Sequence, residues 1–343
     1  MKSLRLFSII VLVALLASAC APAATVAPTV PAATTAPTKA APASTATPVP
    51  ATATSLPPTT TKVPATVTAA PPTATVAPTA VAQVAADKLT QKGRLLICSD
   101  IPYPPQEFFD EQGNPQGVDI DLGIEIANRL GLKAQFVNSV FETIIAAVNG
   151  GKCDIIMSAM NITDTRKKQV SMIPYFQAGQ ALVVIKGNPK NINGPMDLCG
   201  QPVAAESGTT NADWLQSTGD YTGKGGLAVE CQKAGKKPPV VTVTQKDSDS
   251  FQQLQSGKVV AYATDSPVAG YYIAQHGDQF QLAGQVIDPI LEGIVVPCGK
   301  EECTSAPLTD VAKAVETAFR SMVTDGTYLK ILTKWGLASS AVK

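Results

Sequence analysis

Residues 94–157 read RLLICSDIPYPPQEFFDEQGNPQGVDIDLGIEIANRLGLKAQFVNSVFETIIAAVNGGKCDIIM, and this stretch decides the fold. Arg94, Leu95, Leu96, Ile97 and Cys98 form a short apolar run that ends in the turn Asp100-Ile101-Pro102-Tyr103-Pro104-Pro105. Leu122, Ile126 and Leu130 recur every four residues, which is one stripe of a helix, and Gly131 stands where a helix ends. Ala134-Gln135-Phe136-Val137 reads as a strand. Phe141, Ile144, Ile145 and Val148 mark a second helix, stopped by Gly150-Gly151, and Asp154-Ile155-Ile156-Met157 is a buried strand. The order βαβαβ predicts an α/β fold with a parallel sheet.

Working toward the C-terminus, the pattern repeats with different residues. Gln201-Pro202-Val203-Ala204-Ala205 is a strand that enters a Gly-Thr-Thr turn and a helix through Trp214. Val240-Val241-Thr242-Val243 is a strand, a helix runs from Ser250 to Gln255, and Val259-Val260-Ala261-Tyr262-Ala263 is a strand reaching Asp265. Ala181-Leu182-Val183-Val184-Ile185 reads as a crossover between the halves and Ile294-Val295-Val296 as the return. Val311, Val315, Ala318 and Phe319 share one face of a C-terminal helix. The expectation is two α/β lobes, each a mainly parallel sheet flanked by helices, joined by a two-strand hinge. Residues 87–184 plus 292–343 form the first lobe and 185–291 the second. Ligands of open α/β sheets sit at the carboxyl ends of strands, so the cleft between the lobes is the expected site.

Toward the N-terminus, Lys2 and Arg5 precede an apolar run over residues 6–16 that is short for a membrane span. The sequence Leu16-Ala17-Ser18-Ala19-Cys20 resembles a bacterial lipobox, with Ala17 in place of the usual leucine. Residues 1–19 are therefore expected to be a signal peptide, with cleavage before Cys20 and lipidation of its sulfur. Residues 20–86 are nearly all Ala, Thr, Pro, Val and Ser, a composition that cannot bury enough surface to order itself. This segment is read as an extended stalk. The protein is thus expected to be extracytoplasmic and lipid-anchored to the cell membrane, at the cell surface or in a periplasm.

Charge and composition exclude several classes. Basic and acidic residues balance at 27 each, without the basic surplus that a nucleic-acid binder needs. His276 is the one histidine, and nothing near it in sequence supports a nucleophilic triad. No C-x-x-C or Cys/His cluster points to zinc, and neither metal nor cofactor is expected. Six cysteines beyond Cys20 allow 15 pairings. Neighbouring strands and one short loop favour Cys98–Cys153, Cys199–Cys231 and Cys298–Cys303, all within a lobe.

Six stretches carry a family likeness: Ser99-Asp100-Ile101-Pro102-Tyr103-Pro104-Pro105, Gly117-Val118-Asp119-Ile120-Asp121-Leu122, residues 154–166, residues 198–210, Ala263-Thr264-Asp265-Ser266-Pro267, and residues 325–336. In this order they resemble the family 3 bacterial solute-binding proteins of polar amino-acid ABC transporters. The resemblance implies an amino-acid ligand, an ABC permease and ATPase as partners, and a monomer. It also implies a site. Arg166 suits the ligand carboxylate, with Gly208, Thr209 and Thr210 at a helix start as a second carboxylate contact. Asp265 suits the ammonium. Ser158, Ala159 and Asn161 match backbone-contact positions, and Tyr103 and Phe141 match aromatic positions that cover the ligand. Asp100 and Glu206 are two acids placed to face a cationic side chain, of arginine, lysine or ornithine. Two other classes remain in view: a surface sensing module, and a dehydratase on the same fold with Glu206 as its acid.

Overall fold

The computed structural model describes residues 84–216, 225–298, 303 and 308–342. The signal peptide, Cys20 and all but the last three residues of the expected stalk lie outside these.

The first half runs β1 (Arg94–Ser99), a small hairpin of β2 (Phe108–Phe109) and β3 (Pro115–Gln116), α1 (Val118–Arg129), β4 (Lys133–Asn138), α2 (Ile144–Asn149), β5 (Ile155–Ile156) and α3 (Asp164–Lys167). The long strand β6 (Ser171–Ile185) leads into β7 (Pro202–Glu206), α4 (Thr210–Gln216), α5 (Leu227–Lys233), β8 (Val240–Thr244), α6 (Asp247–Gln255), β9 (Ala261–Asp265), α7 (Ser266–His276) and β10 (Phe280–Leu282). The chain returns through β11 (Ile287–Val296) and ends in α8 (Asp310–Asp325) and α9 (Thr327–Lys334). Among the described residues, no helix is long and apolar enough to cross a membrane.

One sheet runs through both halves in the order β4-β1-β5-β11-β6-β9-β7-β8, with β10 on β6. Each wing is a parallel triplet: β1 between β4 and β5, and β7 between β8 and β9. Leu95 to Ser99 in β1 and all of β9 are buried, which is why these strands read as continuous apolar runs rather than alternating ones. The antiparallel pair β6–β11 joins the wings.

Two apolar cores flank this joint. In the first wing Leu95, Ile97, Leu122 and Ile126 pack with Val315, Phe319 and Leu332, so the C-terminal helices complete the N-terminal core. In the second, Val203, Ala205 and Leu215 pack with Leu182 and Val184 of β6. The expected lobe boundary at 184/185 falls near the end of β6, whose last turns of chain already belong to the second core. β6 extends ten residues before the apolar run that announced it. Its earlier part carries Pro174, Gln177 and Gln180 and shows no clean periodicity; its ladder with β11 makes it a strand.

Disulfides join Cys98 to Cys153, Cys199 to Cys231 and Cys298 to Cys303. The first ties β1 to the segment entering β5, and the second ties the segment entering β7 to α5. Both stay within one wing.

Candidate ligand-binding site

The parallel strands of the two wings point their carboxyl ends at each other, and a small cavity lies between them. Its walls are Asp100, Tyr103, Phe141, Ser158, Ala159, Asn161 and Arg166 from the first wing and Glu206, Thr209, Thr210 and Asp265 from the second. Of the twelve residues expected from sequence, only Gly208 is outside this lining; it meets the site through its carbonyl.

Each wall residue is placed by the end of an element. Asp100 follows β1, Glu206 and Asp265 close β7 and β9, and Ser158 and Ala159 follow β5. Ala159 holds a left-handed φ of 44°, and its N–H donates to Asp119 at 3.0 Å. A non-glycine residue in that region costs about 1–2 kcal/mol. Such strain gathers where a fold must present a particular surface.

Arg166 is buried on α3, not solvated beside Lys167 and Lys168. Its guanidinium donates to the Asn161 carbonyl at 2.7 Å and to the Gly208 carbonyl, across the cleft, at 2.8 Å. Phe141 lies under its face, 5.4 Å from the ring centre. The plane of the guanidinium is thereby fixed. Phe141 thus stacks on the protein's own cation while lining the cavity.

Asp265 occupies the N-cap position of α7 yet makes no capping hydrogen bond. Its carboxylate accepts instead from Tyr103 Oη at 2.8 Å and Asn211 Nδ2 at 3.2 Å. Burial raises its pKa, and the hydrogen bonds from Tyr103 and Asn211 oppose the rise. Tyr103, expected to cover the ligand, lines the cavity and its hydroxyl also positions the acid. Asn161 Nδ2 donates to Thr210 Oγ1 at 2.7 Å, a further link between the wings. Thr209 accepts from the Ala212 N–H at 3.2 Å and caps α4.

The acids at the other end of the cavity are Asp100 and Glu206. Burial raises both pKa values, and each carboxyl is close enough to influence the other. Asp100 accepts the Phe141 N–H at 2.5 Å and forms an ion pair with Lys246. Lys246 is absent from the sequence reading. Its one signal is position: it follows β8 at the same carboxyl edge that supplies the other residues. Asn211 was missed as well. So was a buried layer behind the cavity: Ser158 Oγ donates to Glu107 at 2.7 Å, and Tyr175 Oη donates to Asp119 at 2.6 Å.

Comparison with known proteins bears on this geometry. Residues 95–338 match the family described as "Bacterial extracellular solute-binding proteins, family 3". The chain belongs to this family. Among its relatives, the L-cystine-binding protein TcyJ of Escherichia coli (strain K12) is 24% identical over 250 residues, covering 73% of this chain and 85% of that protein. The ABC transporter glutamine-binding protein GlnH of Bacillus subtilis (strain 168) is 30% identical over 230 residues, covering 65% of this chain and 73% of that one. A solved ancestral arginine-binding protein bound to arginine is 35% identical, with a TM-score of 0.61, covering 71% of this chain and 98% of that one. The two-wing architecture is that of these solute-binding proteins, and the relatives share amino-acid binding while differing in the amino acid.

Proposed function

We propose that this protein captures a free amino acid between its two wings and delivers it to an ABC permease and its ATPase. The observation that carries the reading is the pairing of a buried cation and a buried acid, Arg166 and Asp265, on opposite wings of one cavity. A zwitterion presents a carboxylate and an ammonium a few ångströms apart, and burying either without a partner is costly. Arg166 takes the carboxylate, with its plane preset for a bidentate contact. Asp265 takes the ammonium. Thr210, whose hydroxyl oxygen accepts from Asn161, keeps a proton to donate. Ligand binding then favours the closed arrangement of the wings.

For the side chain we favour a cation: arginine, lysine or ornithine. Asp100 and Glu206 are two acids at one end of the cavity, and Lys246 balances one of them. Cys20 and the Ala/Thr/Pro-rich segment after it would anchor the protein to the membrane and hold the wings away from it. A thermal-shift screen of the amino acids tests the function. A ligand at 100 times its Kd stabilises by about 2.7 kcal/mol. No shift with any amino acid would remove the reading; tight binding of glutamate with none of arginine would remove the cationic side chain alone.

A further inference from the structure

Lys246 stands at the N-cap of α6, on the second wing, and its side chain is 22% exposed. Every hydrogen bond its Nζ makes crosses to the first wing. It donates to the Ser139 carbonyl at 3.1 Å and to Asn138 Oδ1 at 3.4 Å, and it pairs with Asp100 Oδ1. Asn138 ends β4 and Asp100 follows β1, so Lys246 spans the carboxyl ends of two parallel strands. Lys246 does not line the cavity, whereas Asp100 and Glu206 do. It reaches Asp100 from behind while the Phe141 N–H holds the other carboxylate oxygen.

We propose that Lys246 is a specificity-determining residue, which neutralises Asp100 from outside the cavity so that the closed cleft presents one uncompensated acid, Glu206, to the ligand's side chain. The inference rests on the reading that an amino acid occupies this cavity. Burial and the neighbouring Asp100 push the Glu206 carboxyl toward its neutral form in the empty cleft, and with Asp100 paired to Lys246 it is the acid left to ionise against a side chain carrying one positive charge. Because Lys246 and its acceptors belong to different wings, this compensation is complete only on closure. The pocket's charge is therefore set at the moment the ligand is enclosed. Removing the lysine charge loses the contacts across the cleft for every ligand, but it also makes the pocket more negative. The loss is then smallest for a cationic ligand, intermediate for a neutral one and largest for an anionic one.

The test is calorimetry of wild type, Lys246→Met and Lys246→Arg with arginine, glutamine and glutamate. In Lys246→Met the ratio of arginine to glutamine affinity is expected to rise at least tenfold over wild type, with glutamate falling furthest. Lys246→Arg keeps the charge and should return the ratio to within about threefold of wild type. A purely structural role would not move a ratio in this way. Equal losses for all ligands, or no losses, overturn the proposal and leave the proposed function standing. A wild type that binds none of the three overturns this proposal, while the proposed function falls only if no amino acid binds. Lys246 is partly exposed and outside both cores, and matched unfolding temperatures of the three proteins check that folding is intact.

Discussion

Replacing Gly208 with alanine separates closure from folding. Gly208 sits on the second wing at φ 76°, and a Cβ built there falls 2.6 Å from Glu142 Cα and 3.2 Å from Glu142 N on the first wing. The first of these contacts is closer than real Cβ atoms come, and both partners are backbone, so no side chain can swing aside. Two costs follow. The left-handed backbone disfavours alanine by about 1–2 kcal/mol whether the wings are open or closed. The clash with Glu142 exists only when they close, and overpacking of this kind costs about 1–3 kcal/mol. The first cost lowers the unfolding temperature by about 2–8 °C for a protein of this size. The second weakens ligand binding by roughly 5- to 150-fold, since each 1.4 kcal/mol is a factor of ten. Calorimetric titration with the amino acid that shifts wild type most, beside a thermal melt of the free protein, reads both. Binding within twofold of wild type would show that Gly208 and Glu142 are not apposed in the bound state, and the account of closure would fall with it.

Arg166→Met should weaken binding more than a hundredfold, because the ligand carboxylate loses a charged partner that was already fixed in its plane; titration within twofold of wild type would place the carboxylate elsewhere. Arg166→Lys keeps the charge but not the fork, and should recover only part of the affinity. Burial raises the carboxyls of Asp119 and Asp247, to about 6 and about 7. An acid whose pKa rises on folding contributes stability that is complete below its ordinary value and lost as pH climbs through the raised one. The free protein should therefore melt higher at pH 5 than at pH 8, and a profile that rises from 5 to 8 would contradict this. Removing Cys98–Cys153, whose cysteines are 55 positions apart, should cost about 4 kcal/mol by loop-closure entropy, against about 2 for Cys298–Cys303, five positions apart; equal losses in urea unfolding would mean that loop length does not govern them.

The wings were legible because their inner strands are covered on both faces. The apolar runs at β1, β5, β7 and β9 are what such burial requires, and the helices between them carried their own stripe. Much of the site was legible for a related reason: Asp100, Ser158, Glu206 and Asp265 follow strand runs directly, where an α/β sheet exposes its carboxyl edge. What stayed hidden depends on partners far along the chain. Lys246 and Asp100 are 146 residues apart, and Tyr103 and Asp265 are 162 apart. No local pattern announces that a tyrosine will position an acid or that a lysine will compensate one. The length of β6 was hidden likewise, since its first half is a strand only because β11 lies beside it.

The first wing is assembled from two distant parts of the chain. β5 meets β11, and the core around Leu95 and Leu122 is closed by Phe319 and Leu332. The second wing is contiguous from β7 to β10. Along the sequence, the opening strands are separated by roughly 150 residues from the helices that close their core. The inserted wing can complete itself within that span. Cys98 and Cys153 both lie in the opening portion, so their bond can tie β1 to β5 early and shorten the life of bare strand edges. Along the sequence, the order in which the wings are completed is thus opposite to the order in which they begin.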